Sequence, residues 1–393
     1  MRIAIITGEY PPLEGGVGDF TRELGQELSR QGHELHILTS LTSGSQESRE
    51  NGMLVYRQIR RWSWRAYPQI TQWLRACTPD IVNIQSQAAA YQLRGAINFY
   101  PYWLQRRLTI PCVTTFHDLL PPYLFPKAGS LRQWAVRQLA QYSDAAIATN
   151  GKDYTTLSNF WGENPHPLIR LIHIGSNISP HPPKGYNSQN WRRAHQIPTD
   201  ALLLGFFGFL NRSKGLEYLL EALHLLHTQH KLPAQLIFIG GRTGDSDASN
   251  SAYAAQIDSL IKKYSLEAYI HRTGYASSEE VSAALLAADI CTLPYREGVN
   301  LRRGTLHACL AHGRAIITTR PPAQIAELHA EQNVLLVPPE DGATLAAAIK
   351  RLHHNPALRA RLGKNATALA MKFSWQQIAA QTSELFHQLS VEI

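Results

Sequence analysis

Residues 289–319 read DICTLPYREGVNLRRGTLHACLAHGRAIITT, and the fold turns on how that stretch divides. DICTLPY is a short apolar run, TLHACLAHG an alanine-rich helical one, and RAIITT a second run of branched residues. Strand, polar loop, helix and strand in so short a span predict a βα unit with parallel strands. The loop EGVNLRRGT, with Gly298 and Gly304 flanking Asn300, Leu301, Arg302 and Arg303, lies where open sheets place their ligand contacts, beyond a strand's C-terminal end. Two arginines at a helix start oppose its dipole, which favours acids there. Either a bound anion accounts for them, its oxygens clamped by paired guanidinium bonds, or they pair with acids elsewhere in the chain.

The same alternation extends in both directions. LLLGFFGFL, LIFIGG, IHRTGY and VLLVPP are further strand-like runs of this half, with helices predicted over GLEYLLEALHLLHTQ, SAYAAQIDSLIKKYS and EEVSAALLAA. RIAIIT opens an earlier series that continues through ELHILTS, DIVNIQ, PCVTTFHD, AAIATN and LIRLIHIG. Between its first two strands DFTRELGQELSRQGH carries Phe20, Leu24 and Leu28 at helical spacing, with Gly32 as its C-cap. The stretch SPHPPKGYNSQNWRRAHQIPTD, rich in Pro, Asn and charge, reads as a connection. The expectation is an α/β chain of two facing Rossmann-like, doubly wound domains. The first spans 1–183, a linker 184–200, the second 201–371, and a final helix 372–393.

At 393 residues, with 44% apolar and 17% charged content, the chain is an ordered protein long enough for two cores. No run reaches the roughly 18 apolar residues that would span a bilayer, and MRIAIITGEYPP lacks the basic and long apolar regions of a signal peptide. Cys77, Cys112, Cys291 and Cys309 show no CxxC spacing and are expected to be buried thiols in a reducing cytosol. A net charge of +8 favours anionic partners. It is concentrated between Glu50 and Asp80, where Arg57, Arg60, Arg61, Arg65 and Arg75 mix with Trp62, Trp64 and Trp73 and no acid occurs. That composition suits contact with an anionic membrane surface, or a solvated basic face whose tryptophans enter the core. No nucleic-acid-binding motif is present, so no nucleic acid is expected.

Three more loops stand at predicted strand ends. Gly15, Gly16 and Gly18 allow close backbone approach before a helix N-terminus, but lack the spacing of a dinucleotide or ATP-type loop, so a tight turn is an equal reading. His117 follows VTTF, in a ligand position or a structural one, with Asp118 beside it to fix the ring or cap the turn. In GFLNRSKG, Asn211, Arg212 and Lys214 precede a helix start, where a lysine adds charge to an anion site or is solvated.

Taken together, EYPPLEGGVGDFTRELGQELSRQGHELHILT, TTFHD, IHIGSN, FGFLNRSKGLEYLLEAL, LIFIGG and PYREGVNLRRGTLHACLAHGRAIITT resemble the family-4 retaining glycosyltransferases of the GT-B architecture, over nearly the whole chain. The resemblance implies a metal-independent, hexosyltransferase-type enzyme without a resident cofactor. It would move a sugar from a nucleotide-diphosphate donor to a hydroxyl acceptor, a glycan or lipid-linked glycan among the candidates, with retained anomeric configuration. It implies polysaccharide biosynthesis in the cytoplasm, with the inner membrane face as a peripheral contact, and a final helix crossing back to the first domain. By position, Gly15 and Gly16 resemble the backbone contacts to donor phosphate and acceptor, His117 the residue near the transferred sugar, and Lys214 the diphosphate-binding lysine.

Two departures accompany the match. Phe209 stands where the family has an arginine, and the Glu-x7-Glu segment is degenerate. Counted from Glu297 its second acid is Thr305, and anchored on Gly313 its two positions are Asn300 and Ala308. Thr305 or Glu297 is the expected substitute for the missing ribose contact, and Arg302 or Arg303 for the charge lost at Phe209. Catalytic roles are therefore expected at His117, Lys214, Arg302 and Arg303, and substrate contacts at Gly15, Gly16, Asn211, Glu297, Gly298, Asn300, Leu301 and Thr305. A nucleotide-sugar epimerase on the same fold and a non-catalytic nucleotide-sugar-binding homologue are the alternatives.

Overall fold

A computed structural model describes residues 1–13, 15–121, 130–160, 168–241 and 248–391. The chain divides into two compact units: Met1–Asn177 with Ser374–Ile393, and Ile178–Phe373.

The first unit is built on eight strands: β1 (Arg2–Thr7), β2 (Glu34–Ser40), β3 (Glu47–Glu50), β4 (Met53–Ile59), β5 (Ile81–Ser86), β6 (Cys112–Phe116), β7 (Ala145–Ala148) and β8 (Leu168–Leu171). Their order is β3-β4-β2-β1-β5-β6-β7-β8, parallel throughout except for β3, which runs antiparallel to β4. The IAII at the centre of RIAIIT is continuously apolar because the sheet is covered on both faces. Ile3 and Ile5 pack with Phe20, Leu24 and Leu28 of the helix Gly16–Arg30, whereas Ala4 and Ile6 pack with Ile70 and Leu74 of the helix Tyr67–Cys77. Gly32, at φ +90°, follows the first helix in the left-handed conformation its C-terminal turn requires. The helix Trp375–Val391 belongs to this unit, with Ile378, Ala379 and Phe386 in the first of those clusters and Trp375 Nε1 donating to Ser176 O at 2.8 Å.

The second unit has six parallel strands: β9 (Leu202–Phe207), β10 (Ala234–Ile239), β11 (Ile270–Arg272), β12 (Ile290–Leu293), β13 (Ala315–Thr319) and β14 (Leu335–Val337), in the order β11-β10-β9-β12-β13-β14. Leu202, Leu204 and Phe206 face the helix Leu216–Thr228, while Leu203 faces the opposite layer, which holds the helices Ser278–Ala287 and Gly304–Ala311. The β12–helix–β13 unit is the one read from DICTLPY through RAIITT.

Two features differ from the sequence reading. β4 and the helix Tyr67–Cys77 lie in the stretch between Glu50 and Asp80 taken only as a basic segment, and β3 immediately precedes it. MLVYRQI alternates buried and half-buried side chains along β4, and the apolar pattern is masked because Arg57 takes one of the buried positions. Arg57 is itself buried, donating to Glu50 Oε1 at 2.7 Å and to Pro11 O at 2.7 Å. The expected linker, 184–200, contains the helix Ser188–Ala194, integrated into the second unit through a buried arginine. Arg192 donates to Ala287 O at 2.6 Å and to Asp289 Oδ2 at 2.9 Å, so its Pro/Asn-rich flanks bracket a docked helix. All four cysteines are buried and free.

Candidate functional site

The densest gathering of expected residues lies at the C-terminal ends of β9 and β12. After β9 the chain turns through Gly208 at φ +119°, enters the short 3-10 turn Arg212–Lys214, and leaves through Gly215 at φ +64°. Both glycines are required by position as well as by conformation. A Cβ at Gly208 would lie 2.9 Å from Thr305 Cγ2 and 3.3 Å from Lys214 Nζ, and one at Gly215 would lie 2.1 Å from Pro294 O. The turn delivers Lys214, only 9% exposed, to the start of the helix Gly304–Ala311, where its Nζ donates to Thr305 Oγ1 at 3.2 Å.

Tyr295, fully buried just beyond β12, organises the cluster. Its hydroxyl shares a 2.6 Å hydrogen bond with Thr305 Oγ1. Lys214 Nζ lies 5.3 Å from the centre of its ring and Arg303 Cζ 4.8 Å from it. Arg303 Nη1 donates to Ser213 Oγ at 3.2 Å, Ser213 Oγ donates to Asn211 Oδ1 at 2.7 Å, and Arg303 Nε is buried without an acceptor among the described residues. No carboxylate among the described residues pairs with Lys214 or Arg303. Burial first, and the Arg303 charge second, bring the Lys214 ammonium down to about 8. The N–H groups of Gly304 and Thr305, at the positive end of the helix, have no acceptor among the described residues, while those of Leu306 and His307 bond Arg303 O. Two cations, a hydroxyl pair and two amides without acceptors, gathered at one helix start with no carboxylate paired to them among the described residues, are suited to hold an anion.

The other expected residues of this loop divide between scaffold and surface. Gly298 is at φ +79°, and a Cβ there would lie 2.3 Å from Arg320 O, so it serves the turn. Leu301 is buried, its carbonyl accepting from His307 Nε2 at 2.8 Å. Asn300 Oδ1 accepts from Arg302 N at 3.1 Å and shapes the loop. Arg302 is exposed, and it is Arg303 that reaches Tyr295 and Ser213. Glu297 is exposed and makes no side-chain hydrogen bond or ion pair among the described residues. Tyr295 and Ser213 escaped the sequence reading. Position was the available signal, Tyr295 standing right after a predicted strand and Ser213 between Asn211 and Lys214.

At the first unit's glycine loop, two amides next to the expected Gly15 and Gly16 contacts are taken by the chain itself. Glu9 Oε1 accepts from Val17 N at 3.0 Å and Gly18 N at 3.3 Å. Gly15 gives this carboxylate room, since a Cβ there would lie 2.2 Å from Glu9 Oε1. Gly16 begins the helix, with open space where its Cβ would be. Burial raises the Glu9 carboxyl above its ordinary range, opposed by the two amide bonds.

His117 stands just past β6, edge-on to Phe20 with ring centres 4.7 Å apart. Burial lowers it to about 3, so the ring is neutral near neutral pH. Its tautomer follows from a chain of amides. Asn83 Nδ2 donates to Val113 O at 3.1 Å, Gln85 Nε2 donates to Asn83 Oδ1, and Gln85 Oε1 is left to accept from His117 Nε2 at 2.8 Å. The Nδ1 lone pair is therefore the atom the ring offers outward. Asp118 accepts from Gln87 Nε2 at 3.1 Å and Leu120 N at 3.0 Å and caps the turn.

Among the described residues no group of three His, Cys, Asp or Glu side chains is placed to hold a metal ion, and no helix is long and apolar enough to cross a membrane.

Residues 187–369 match the family described as Glycosyl transferases group 1, and residues 14–179 match Glycosyltransferase Family 4. Among curated proteins, a D-inositol 3-phosphate glycosyltransferase of Corynebacterium efficiens is 25% identical, covering 99% of this chain and 95% of its own. One of Streptomyces bingchenggensis is 25% identical over 98% and 89%. Among solved structures, the sucrose-phosphate synthase from Thermosynechococcus elongatus aligns over 100% of both chains, with a TM-score of 0.76 at 21% identity. Anabaena HepE in complex with UDP-glucose aligns over 99% of this chain and 100% of its own, with a TM-score of 0.72 at 16% identity.

Proposed function

The chain belongs to the family-4 glycosyltransferases and has their two Rossmann-like domains, and from that premise we propose that it transfers a sugar from a nucleotide-diphosphate donor to a hydroxyl acceptor with retention at the anomeric carbon. The observation that carries the reading is the cluster of Lys214, Arg303, Thr305 and Tyr295, which concentrates positive charge at strand ends with no carboxylate among the described residues to neutralise it.

The hard step of such a transfer is departure of the diphosphate as negative charge grows on it. Lys214 and Arg303, with the Gly304 and Thr305 amides, are arranged to stabilise that charge without reorganising, and preorganised electrostatics of this kind often dominate catalysis. Arg303 takes over the charge lost at Phe209, and Thr305, tied to Tyr295, stands at the degenerate second acid position. The neutral His117 offers Nδ1 to a hydroxyl of the transferred sugar. The acceptor hydroxyl attacks from the face the diphosphate leaves, and the leaving phosphate takes its proton. No metal is required for this sequence.

HepE was solved with UDP-glucose, so UDP-sugars are the first donors to try. Two relatives are named for D-inositol 3-phosphate, which makes phosphorylated polyols leading acceptors beside glycans and lipid-linked glycans. The test is a panel of nucleotide sugars and acceptors scored for nucleoside-diphosphate release, with NMR of the new linkage. Retained configuration supports the proposal. Inverted configuration removes the mechanism, and donor binding without turnover across the panel favours a non-catalytic homologue.

A further inference from the structure

The first unit carries a second concentration of positive charge that the donor reading does not use. A cavity of about 570 Å³ is lined by Arg60, Arg61, Arg65 and Arg94 together with Trp64 and Gln69. Arg60 and Arg61 follow β4, Arg65 lies in the 3-10 turn Trp64–Ala66, and Arg94 comes from the loop after β5, so the cavity opens at C-terminal strand ends, where sheets of this type bind ligands.

None of these four guanidinium groups makes a hydrogen bond or ion pair among the described residues, and Arg94 Nε is buried without an acceptor. The local sequence explains the imbalance. Asp80 is the single acid between residues 51 and 117. It stands before β5, at the opposite, N-terminal ends of the strands, where its Oδ2 accepts from Arg2 N at 2.7 Å. The Glu50 carboxylate is engaged by the buried Arg57 at 2.7 Å. Four like charges around one concavity repel each other unless an anion joins them.

The site is also rigid. Trp62 Nε1 donates to Ser40 Oγ at 2.8 Å, and its ring meets Tyr91 edge-on with centres 4.9 Å apart. Tyr91 OH donates to Ile6 O at 3.1 Å. These buried contacts lock the two arginine-bearing segments to the sheet and to each other. Trp64, by contrast, is 57% exposed at the wall, a flat apolar surface for the organic part of a ligand.

We propose that this cavity is a second anion site, built to take a phosphate group carried by the acceptor. The inference rests on the glycosyltransferase reading for the word acceptor, but the site itself rests on the arginines. Concavity favours a discrete phosphate over a bilayer, which would need the charges to protrude.

The test is calorimetric titration of the full chain held in saturating UDP, so that the donor receptor is filled, with inorganic phosphate and glucose 6-phosphate as probes. Both are expected to bind the native chain and to bind the exposed-residue double variant Arg61→Ala/Arg65→Ala about a hundredfold more weakly, roughly tenfold per charged contact, with UDP affinity unchanged. Absence of binding by either probe, or equal binding by the double variant, overturns the proposal. So does arginine-dependent pelleting with phosphatidylglycerol vesicles in the absence of phosphate binding, which reassigns the surface to a membrane. Should UDP itself not bind, the donor reading fails separately, and the same titration without UDP in a Lys214→Met background still decides the cavity.

Discussion

Each unit presents a helix N-terminus beyond a parallel strand, and the two are opposite in electrostatic state. In the first, Glu9 reaches the amides of Val17 and Gly18 and supplies the negative charge the helix start favours. In the second, Lys214 and Arg303 gather at the start of Gly304–Ala311, whose first two amides remain open. The same backbone geometry is completed internally in one place and left incomplete in the other. An unfinished electrostatic arrangement, maintained by buried groups, is a stronger argument for a ligand site than glycine content is.

The comparison breaks most visibly at Lys214. Replacing it by Met keeps the buried stem and removes the charge, and kcat is expected to fall about a hundredfold, the cost typical of losing one preorganised donor to a leaving group. Donor turnover measured at saturating acceptor checks this, and unchanged turnover would falsify the receptor assignment.

A pH series is next in size. Lys214 titrates near 8 in the free protein, and a bound diphosphate must raise that value because it favours the ammonium form. Below pH 8 the lysine is already charged and affinity for UDP is level. Above it, binding must recruit a proton, so affinity falls by up to about tenfold per pH unit until the bound-state value is reached. The decline should be absent in Lys214→Met. A native chain whose UDP affinity is flat from pH 7 to about 10 would leave the lysine outside the diphosphate site.

The two neighbouring arginines sharpen the contrast further. Arg303→Met is expected to weaken UDP binding by about tenfold, as one charged contact is lost, and Arg302→Met by much less. The sequence offers both as equals. Only the start of the helix decides between them, by turning Arg303 over Tyr295 while Arg302 stays exposed. Equal effects from the two substitutions would erase that distinction.

What was legible in the sequence follows the same division. Strands such as RIAIIT and LLLGFF declare themselves because burial on both faces demands unbroken apolar runs. Gly215 and Gly298 mark turns because positive φ and close backbone approach demand glycine, whereas Gly208 was hidden inside the apolar run LLLGFFGFL. Lys214 and Thr305 are singled out in the sequence by their positions in loops and motifs, and the fold brings their side chains together at 3.2 Å. Tyr295 was hidden because an aromatic after an apolar run looks like more core, and only its hydroxyl contact with Thr305 distinguishes it. Glu9 was hidden because its partners, Val17 and Gly18, lie across a turn whose geometry no local pattern specifies. β4 was obscured by Arg57, a charge buried only because Glu50 on the neighbouring strand pairs with it.

The smallest expected effect lies on the completed side of the comparison. Glu9→Ala removes the acceptor of two amides, a loss of about 1 kcal/mol if it behaves as an N-cap does, or roughly 2–4 °C in Tm for a domain of this size. Part of that loss is returned, because burial makes the charged form of Glu9 costly to hold and the substitution relieves that cost. UDP affinity should not change, because the carboxylate belongs to the helix Gly16–Arg30 and not to the receptor around Tyr295. The informative result would be the reverse, unaltered stability with altered UDP affinity. It would mean that the glycine loop yields its amides to the donor when Glu9 is displaced, and that the first helix start is an anion site held closed by its own carboxylate.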